Sequence, residues 1–388
     1  MDGPVARPEW LVPRAAYVHV PFCRTKCLYC DFNTYAGKDR LIPEYVAALA
    51  TEIRRAATAC DGLPLRSVYF GGGTPSLLTI PQLRRLMAAL RRGAGIEPDA
   101  EVTLEANPGT FGRAYLDGLS ELGVTRVSLG VQSLDDETLR RLARTHNAAQ
   151  ALDAVRQARA AGCRSVNLDL IYGLPWQTVC RWREHLARAL ETEPDHISLY
   201  ALMIEEGTPL AGLVGRGMWD VPNEDRVAEM YEAALPVLAA AGFVHYEVSN
   251  WAKAGHESRH NLVYWRNEAY LGCGAGAHAY VNGRRSWNVR GIEEYMRRVT
   301  SAVDPVDGHE SLSPASVMGE TAALALRLPI EGLDFYRFEQ RFGADPRERW
   351  REELGDLSAA GVLNVTARRA TIAEGALLVN NEIASRFV

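Results

Sequence analysis

The chain has 388 residues, 47% of them apolar and 23% charged, with a formal net charge of −5. That length allows one large core plus a smaller domain, and the slightly acidic balance argues against a nucleic-acid-binding chain, which carries a basic excess or stripe. No stretch is long and apolar enough to span a bilayer, Met1 to Arg14 lacks a secretory signal's basic start and apolar core, and the seven cysteines form no disulfide framework in so long a chain, so the cytoplasm is the expected compartment.

A β-branched run, Tyr17-Val-His-Val20, leads into Cys23, Cys27 and Cys30, a C-x3-C-x2-C spacing followed by Asp31-Phe32. Three thiolates on one loop can hold three irons of a cubane iron–sulfur cluster and leave the fourth iron without a protein ligand. Zinc is the competing reading, but structural zinc usually closes with four ligands in two short pairs. The nearest further cysteine, Cys60, lies thirty residues beyond Cys30. Inert buried thiols, the third reading, scatter as small hydrophobes and do not gather three to a loop.

Helical spacing follows at Pro43–Ala59. Ser67–Phe70 reads as a strand running into Gly71-Gly-Gly-Thr-Pro-Ser76, and Ile80–Arg92 as an amphipathic helix. Glu101–Glu105, Thr125–Leu129, Ser165–Ile171 and His196–Tyr200 complete six strands. Helices are expected between them at Arg113–Leu122, Asp135–Ala143, Ala148–Ala161 and Gln177–Leu190. Such alternation demands parallel strands with helical crossovers, in an open sheet or a barrel. The unusual residues fall at the C-terminal strand ends, where ligands of parallel α/β folds bind.

Beyond residue 205 the alternation fades. A long helix is expected at Glu224–Ala241, then the aromatic stretch Val244–Trp251, His260-Asn-Leu-Val-Tyr-Trp265 and a glycine-dense segment from Leu271 to His278. The end, from about Ser311, reads as a small, mostly helical domain of winged-helix-like pattern, closed by two short runs at Ala370–Ile372 and Gly375–Asn380. The expected units are therefore an N-terminal extension over 1–14, a partial barrel over 15–205, a capping region over 206–305 and a C-terminal helical domain over 306–388.

Several residues carry chemistry. The glycines at 71–73 let backbone approach a ligand, although glycine-rich turns are common without one. Glu105 can accept from hydroxyls or an ammonium, or can be a solvated strand end. Gln132 falls on the same rim, and Arg144 stands near a helix end, where a surface ion pair is the plain alternative. Asp169, in an otherwise apolar strand, needs a partner or a ligand. His260, beside Tyr264 and Trp265, could ligate a metal as a neutral imidazole, or be a satisfied core residue. Cys273 could do so as a thiolate, though ordinary burial is the simpler reading. His19 reads as structural or near the cluster.

Together these motifs resemble the radical SAM superfamily, and within it the oxygen-independent coproporphyrinogen III oxidase family and its relatives. The matching stretches are Tyr-Val-His-Val-Pro-Phe-Cys, Gly-Gly-Gly-Thr-Pro-Ser, Leu-Gly-Val-Gln-Ser, Arg-x-x-x-Arg-Thr-His-Asn and Asp-Leu-Ile-Tyr-Gly-Leu-Pro. The resemblance implies a partial (β/α)6 barrel, a [4Fe-4S] cluster on Cys23, Cys27 and Cys30, and S-adenosylmethionine (SAM) at the open iron. It implies Tyr17, Gly72 and Glu105 around a first SAM, and Gly73, Thr74, Gln132, Arg144 and Asp169 around a second. Two departures from the oxidase, Phe32 where its motif has a further cysteine and a short N-terminal arm, are similar to the HemW branch of haem chaperones. The H-N-x-x-Y-W motif at His260 agrees, and there the histidine is associated with haem. The implied function is haem binding and delivery to an acceptor haemoprotein, with an electron donor needed if SAM is cleaved; a homodimer is compatible with it. The alternatives are radical decarboxylation of coproporphyrinogen III and a radical SAM enzyme acting on another substrate.

Overall fold

Six strands form from β-branched and leucine-rich runs whose successive side chains face opposite ways. They are β1 (Ala15–Val20), β2 (Leu65–Gly72), β3 (Ile96–Ala106), β4 (Arg126–Gln132), β5 (Ser165–Tyr172) and β6 (His196–Ala201). In this computed structural model, which describes residues 8–388, they lie parallel and in chain order. The first seven residues of the expected N-terminal extension lie outside the described residues. Pairing in register puts Val18, Phe70, Leu104, Leu129, Leu168 and Ile197 on one face, all buried. Each such side chain contributes about 1.5–3 kcal/mol on leaving water. The other face carries Tyr17, Tyr69, Glu105, Ser128, Asn167 and Ser198, so the interior is polar.

The crossovers are helical: α1 (Ile42–Ala56), α2 (Ile80–Gly93), α3 (Arg113–Leu122), α4 (Asp136–Arg141), α5 (Ala148–Ala160) and α6 (Val179–Leu190). All form within a turn of the ends expected from apolar spacing. Local chemistry sets those ends. Asn147 and Gln150 make a capping box at the start of α5, and Gly123 stops α3 in the left-handed region at φ 84°.

After the short α7 (Pro209–Gly215) comes α8 (Glu224–Ala240). The sheet then continues with strands that the sequence pattern did not announce. Within the aromatic stretch, β7 (Val244–Glu247) and β8 (Asn250–Ala252) pair antiparallel, and β8 pairs antiparallel with β6. Helix α9 (Arg259–Trp265) carries the His260 motif, and β9 (Leu271–Cys273), inside the glycine-dense segment, pairs parallel with β1. The sheet thus has nine strands, three of them from beyond residue 205.

A three-stranded antiparallel sheet, β10 (His278–Val281), β11 (Arg284–Asn288) and β12 (Val306–Ser311), follows, with α10 (Ile292–Thr300) between its last two strands. The C-terminal region runs α11 (Pro314–Ala325), β13 (Leu333–Asp334), α12 (Phe335–Phe342), α13 (Pro346–Arg349), α14 (Arg351–Ala359), β14 (Leu363–Val365) and β15 (Arg369–Ile372). The last two strands form an antiparallel hairpin against which β13 pairs, a winged-helix-like order. Of the two closing runs, Ala370–Ile372 is strand, whereas Glu374–Val379 coils as a 3-10 turn leading into a short helix. Among the described residues, no helix is long and apolar enough to cross a membrane.

Candidate cluster and cofactor site

The cysteine loop leaves the C-terminal end of β1 and is tied back on both sides. Phe22–Cys23 pairs in parallel with Tyr35–Ala36, Leu28 N–H donates to the Leu142 carbonyl at 3.4 Å, and Leu210 N–H donates to that of Leu28 at 2.9 Å. Cys23, Cys27 and Cys30 therefore line one cavity of about 380 Å3 at the C-terminal edge of the strands. Thr74 Oγ1 donates to Cys23 Sγ at 3.5 Å, and Arg144 Nη1 donates to Cys27 Sγ at 3.2 Å. Burial pushes the Cys23 and Cys30 thiols up, so a metal centre is what would hold them as thiolates. Among the described residues no three His, Cys, Asp or Glu side chains are grouped to share a single metal ion. A cubane asks for something else, one thiolate per iron.

The opposite wall comes from β2 to β5. Gly72 has φ +112°, and its N–H donates to Glu105 Oε2 at 3.0 Å. A side chain there is doubly excluded, since a Cβ would lie 2.4 Å from the His19 ring. Gly73 is as tight, its Cβ position 2.6 Å from the Phe22 carbonyl oxygen. Tyr69 donates to Glu105 Oε1 at 2.8 Å. Even so, burial raises Glu105 to about 7, with Asp169 adding to the effect. Burial also raises Asp169, against the hydrogen bond it accepts from Asn167 at 2.7 Å. Gln132 ends β4 at φ +62°, a conformation that costs a non-glycine residue about 1 kcal/mol or more. Arg144 Nη2 donates to Asn107 Oδ1 and to the Gly130 carbonyl, at 2.5 and 2.6 Å. Its buried Nε has no partner.

Cys23, Cys27, Cys30, Gly72, Gly73, Thr74, Glu105, Gln132, Arg144 and Asp169 thus converge on one cavity. Tyr17 does not line it. Its ring stands behind Gly71, and its hydroxyl bonds His19 Nδ1 at 2.9 Å, while His19 Nε2 meets the Asn33 carbonyl. Sequence reasoning missed Asn107, whose amide bridges Thr74 and Arg144. It reads as turn chemistry in Asn107-Pro-Gly109, and its place directly after β3 is the signal that would have found it.

His260 lies elsewhere. It is 1% exposed, with Nδ1 on Ser67 Oγ at 3.0 Å and Nε2 on Tyr264 Oη at 2.9 Å, and it stacks on Tyr69 at 5.1 Å. Burial lowers it to about 3, so it is neutral. In this structure both ring nitrogens are engaged by hydroxyls, so a ligand role would require one of those hydrogen bonds to be exchanged for the iron. Cys273 is buried in β9, its thiol pushed up by burial, as ordinary packing implies.

A parallel partial barrel that brings three thiols of one loop against buried carboxylates at its strand ends defines the radical SAM class. Residues 17–189 match the Radical SAM superfamily and residues 312–377 the HemN C-terminal domain. The chain is 40% identical to heme chaperone HemW of Synechocystis over 82% of its length and 79% of the relative's. It is 34% identical to that of Bacillus subtilis over 97% and 99%, and 40% identical to that of Escherichia coli over 70% and 71%. The chain belongs to the HemW family. Its fold matches that of coproporphyrinogen III oxidase (HemN) from Escherichia coli with a TM-score of 0.84 at 24% identity, covering 98% of this chain and 91% of that one. Radical SAM membership implies a [4Fe-4S] cluster and SAM.

Proposed function

We propose that the chain is a haem chaperone, binding haem and passing it to an acceptor haemoprotein, with a SAM-ligated [4Fe-4S] cluster that gates the transfer. Relatives bearing the heme chaperone name over most of the chain support the first part. The observation that carries the second is the cavity in which three thiols face two buried acids. In this reading Cys23, Cys27 and Cys30 hold the cluster. When bound, the cluster supplies one reducing electron and an open iron, and SAM supplies a cation.

That cation fits the residues present. Glu105 and Asp169 are raised because burial costs them their charge, and a sulfonium or ammonium would restore it. Gly72 and Gly73 bring backbone to the ligand, and Tyr69 holds the Glu105 carboxylate in place. Tyr17 supports the glycine turn from behind. Thr74, Gln132, Asp169 and Arg144 take the remaining side of the cavity, where Arg144 spans Cys27, Asn107 and Gly130.

The test is an anaerobic haem titration of cluster-reconstituted protein followed by the Soret band, then mixing with an apo-haemoprotein. Saturable binding and transfer to the acceptor, with the rate changed by SAM, is the expected result. No saturable binding, together with coproporphyrinogen turnover and release of 5′-deoxyadenosine, would replace the chaperone by the decarboxylase.

A further inference from the structure

Helix α9 has seven residues, too few to hold a helix in water unaided, so its position is set by what it touches. Arg259, Leu262, Val263 and Arg266 line a groove of about 1140 Å3 against the C-terminal region. His260 and Tyr264 face the barrel interior. On that inner side, two chains of buried contacts join the helix to the cofactor cavity.

The first chain is short. The Tyr69 ring stacks on the His260 ring at 5.1 Å, and the Tyr69 hydroxyl donates to Glu105 Oε1 at 2.8 Å. Tyr69 stands on β2 two residues after Ser67, which bonds His260 Nδ1, so one strand carries both residues that fix the ring. The second chain is longer. Asn167 Nδ2 donates to Asp169 Oδ1 at 2.7 Å, and Asn167 Oδ1 meets His196 Nδ1 at 2.6 Å. His196 Nε2 meets Tyr246 Oη at 2.8 Å, and Tyr246 Oη accepts the Ser258 N–H at 3.2 Å. Ser258 is the N-cap of α9. Burial holds His196 neutral. With its proton on Nδ1, every donor in the chain points toward Asp169, and such bonds strengthen one another. Glu105 thus leads to the helix's motif histidine and Asp169 to its cap.

A cation in the cavity favours the charged form of both acids. Hydrogen bonds to an ionised acceptor are shorter and about twice as strong as neutral ones, so both chains tighten and hold α9 as it stands here. Without the cation they slacken, and the short helix yields.

We propose that Tyr69 and the Asn167–His196–Tyr246 chain couple the cofactor cavity to helix α9, so that a cation on Glu105 and Asp169 holds His260 closed and its departure lets the helix open. Tyr69 acts here as a positioning residue. The coupling rests on SAM occupying the cavity, and its consequence for haem rests on the chaperone reading.

Hydrogen exchange of the α9 amides is measured anaerobically on cluster-reconstituted full-length protein, with and without saturating SAM. The chains compared are wild type, Tyr69→Phe, Tyr246→Phe and Tyr115→Phe. The last removes a hydroxyl that bonds the Leu78 carbonyl, outside both chains. SAM is expected to slow α9 exchange by about 5-fold or more in wild type and Tyr115→Phe, and by less than about 2-fold in Tyr69→Phe. Tyr246→Phe should fall between them. Thermal melts and SAM titrations show that each variant is folded and loaded. In parallel haem titrations, SAM should weaken haem binding to wild type by a similar factor and leave that of Tyr69→Phe unchanged. Exchange that SAM leaves unchanged or speeds in wild type overturns the coupling, as does a full SAM effect in both Tyr69→Phe and Tyr246→Phe. If SAM slows exchange as expected but wild type binds no haem, the coupling stands and the chaperone reading falls.

Discussion

The two ends of the barrel are built from the same strands and hold buried polar groups in opposite states. At the floor, His260 is satisfied on both nitrogens, and Glu101 accepts the first two N–H groups of α9 at 3.1 Å each. An acid at a helix N-terminus is well placed, and the His260 ring is closed on both sides by hydroxyls. At the rim, Glu105 and Asp169 are pushed toward their neutral forms, Arg144 keeps an unpartnered Nε, and three thiols share a loop. Buried polarity by itself therefore does not mark function. Incomplete satisfaction gathered on one cavity does, because it costs stability unless a ligand completes it, whereas single unpartnered atoms such as Trp265 Nε1 and Arg341 Nε are scattered elsewhere.

The contrast is broken most severely at the cysteines. Serine at Cys23, Cys27 or Cys30 should abolish cluster loading, read as iron and sulfide content, while the melting temperature of the apo chain stays close to wild type. A variant that still loads a full cluster would remove that cysteine from the ligand set. Gly72→Ala comes next. Its positive φ and the 2.4 Å approach to His19 predict a loss of about 3 kcal/mol in denaturant unfolding.

His260→Ala tests the floor. It leaves a void and strands the Ser67 and Tyr264 hydroxyls, predicting a loss of about 2–4 kcal/mol. Were His260 an open haem ligand, the variant would keep its stability and lose haem instead.

The smallest effect concerns pH. An acid raised from 4.5 to about 7 on folding contributes stability that is full below its unfolded value and is lost as pH rises through the folded one. Apo protein should therefore weaken between about pH 4.5 and 7. Glu105→Gln should flatten that slope by on the order of 1–3 kcal/mol, leaving the share of Glu52 and Glu247, which burial also raises to about 7. A slope unchanged in the variant would show that Glu105 is ionised at no cost.

Much of the cofactor end was legible because it is local. The cysteine spacing, the glycine turn at 71–73 and the acids at strand ends are each visible within a few residues. So were the six strands and their helices, since period-2 and period-3.6 patterns are short-range. Other elements were not. β9 is three residues within a glycine run, and it becomes strand by pairing with β1. Tyr17, expected around the first SAM, does not itself line the cavity and packs against the Gly71 side of the glycine turn. The orientation of His260 depends on Ser67, 193 residues away in sequence, which no motif encodes.

What the sequence by itself determined, then, is the barrel's repeating units and the presence of a thiol loop beside a glycine turn, because both depend on neighbours along the chain. What only the tertiary structure decided is which polar residues are closed and which are open. Helix α9 presents one face to the barrel and one to the groove, and only packing against β2, β3 and the C-terminal helices selects which. That choice turned the motif histidine inward and left Arg259 and Arg266 facing the groove.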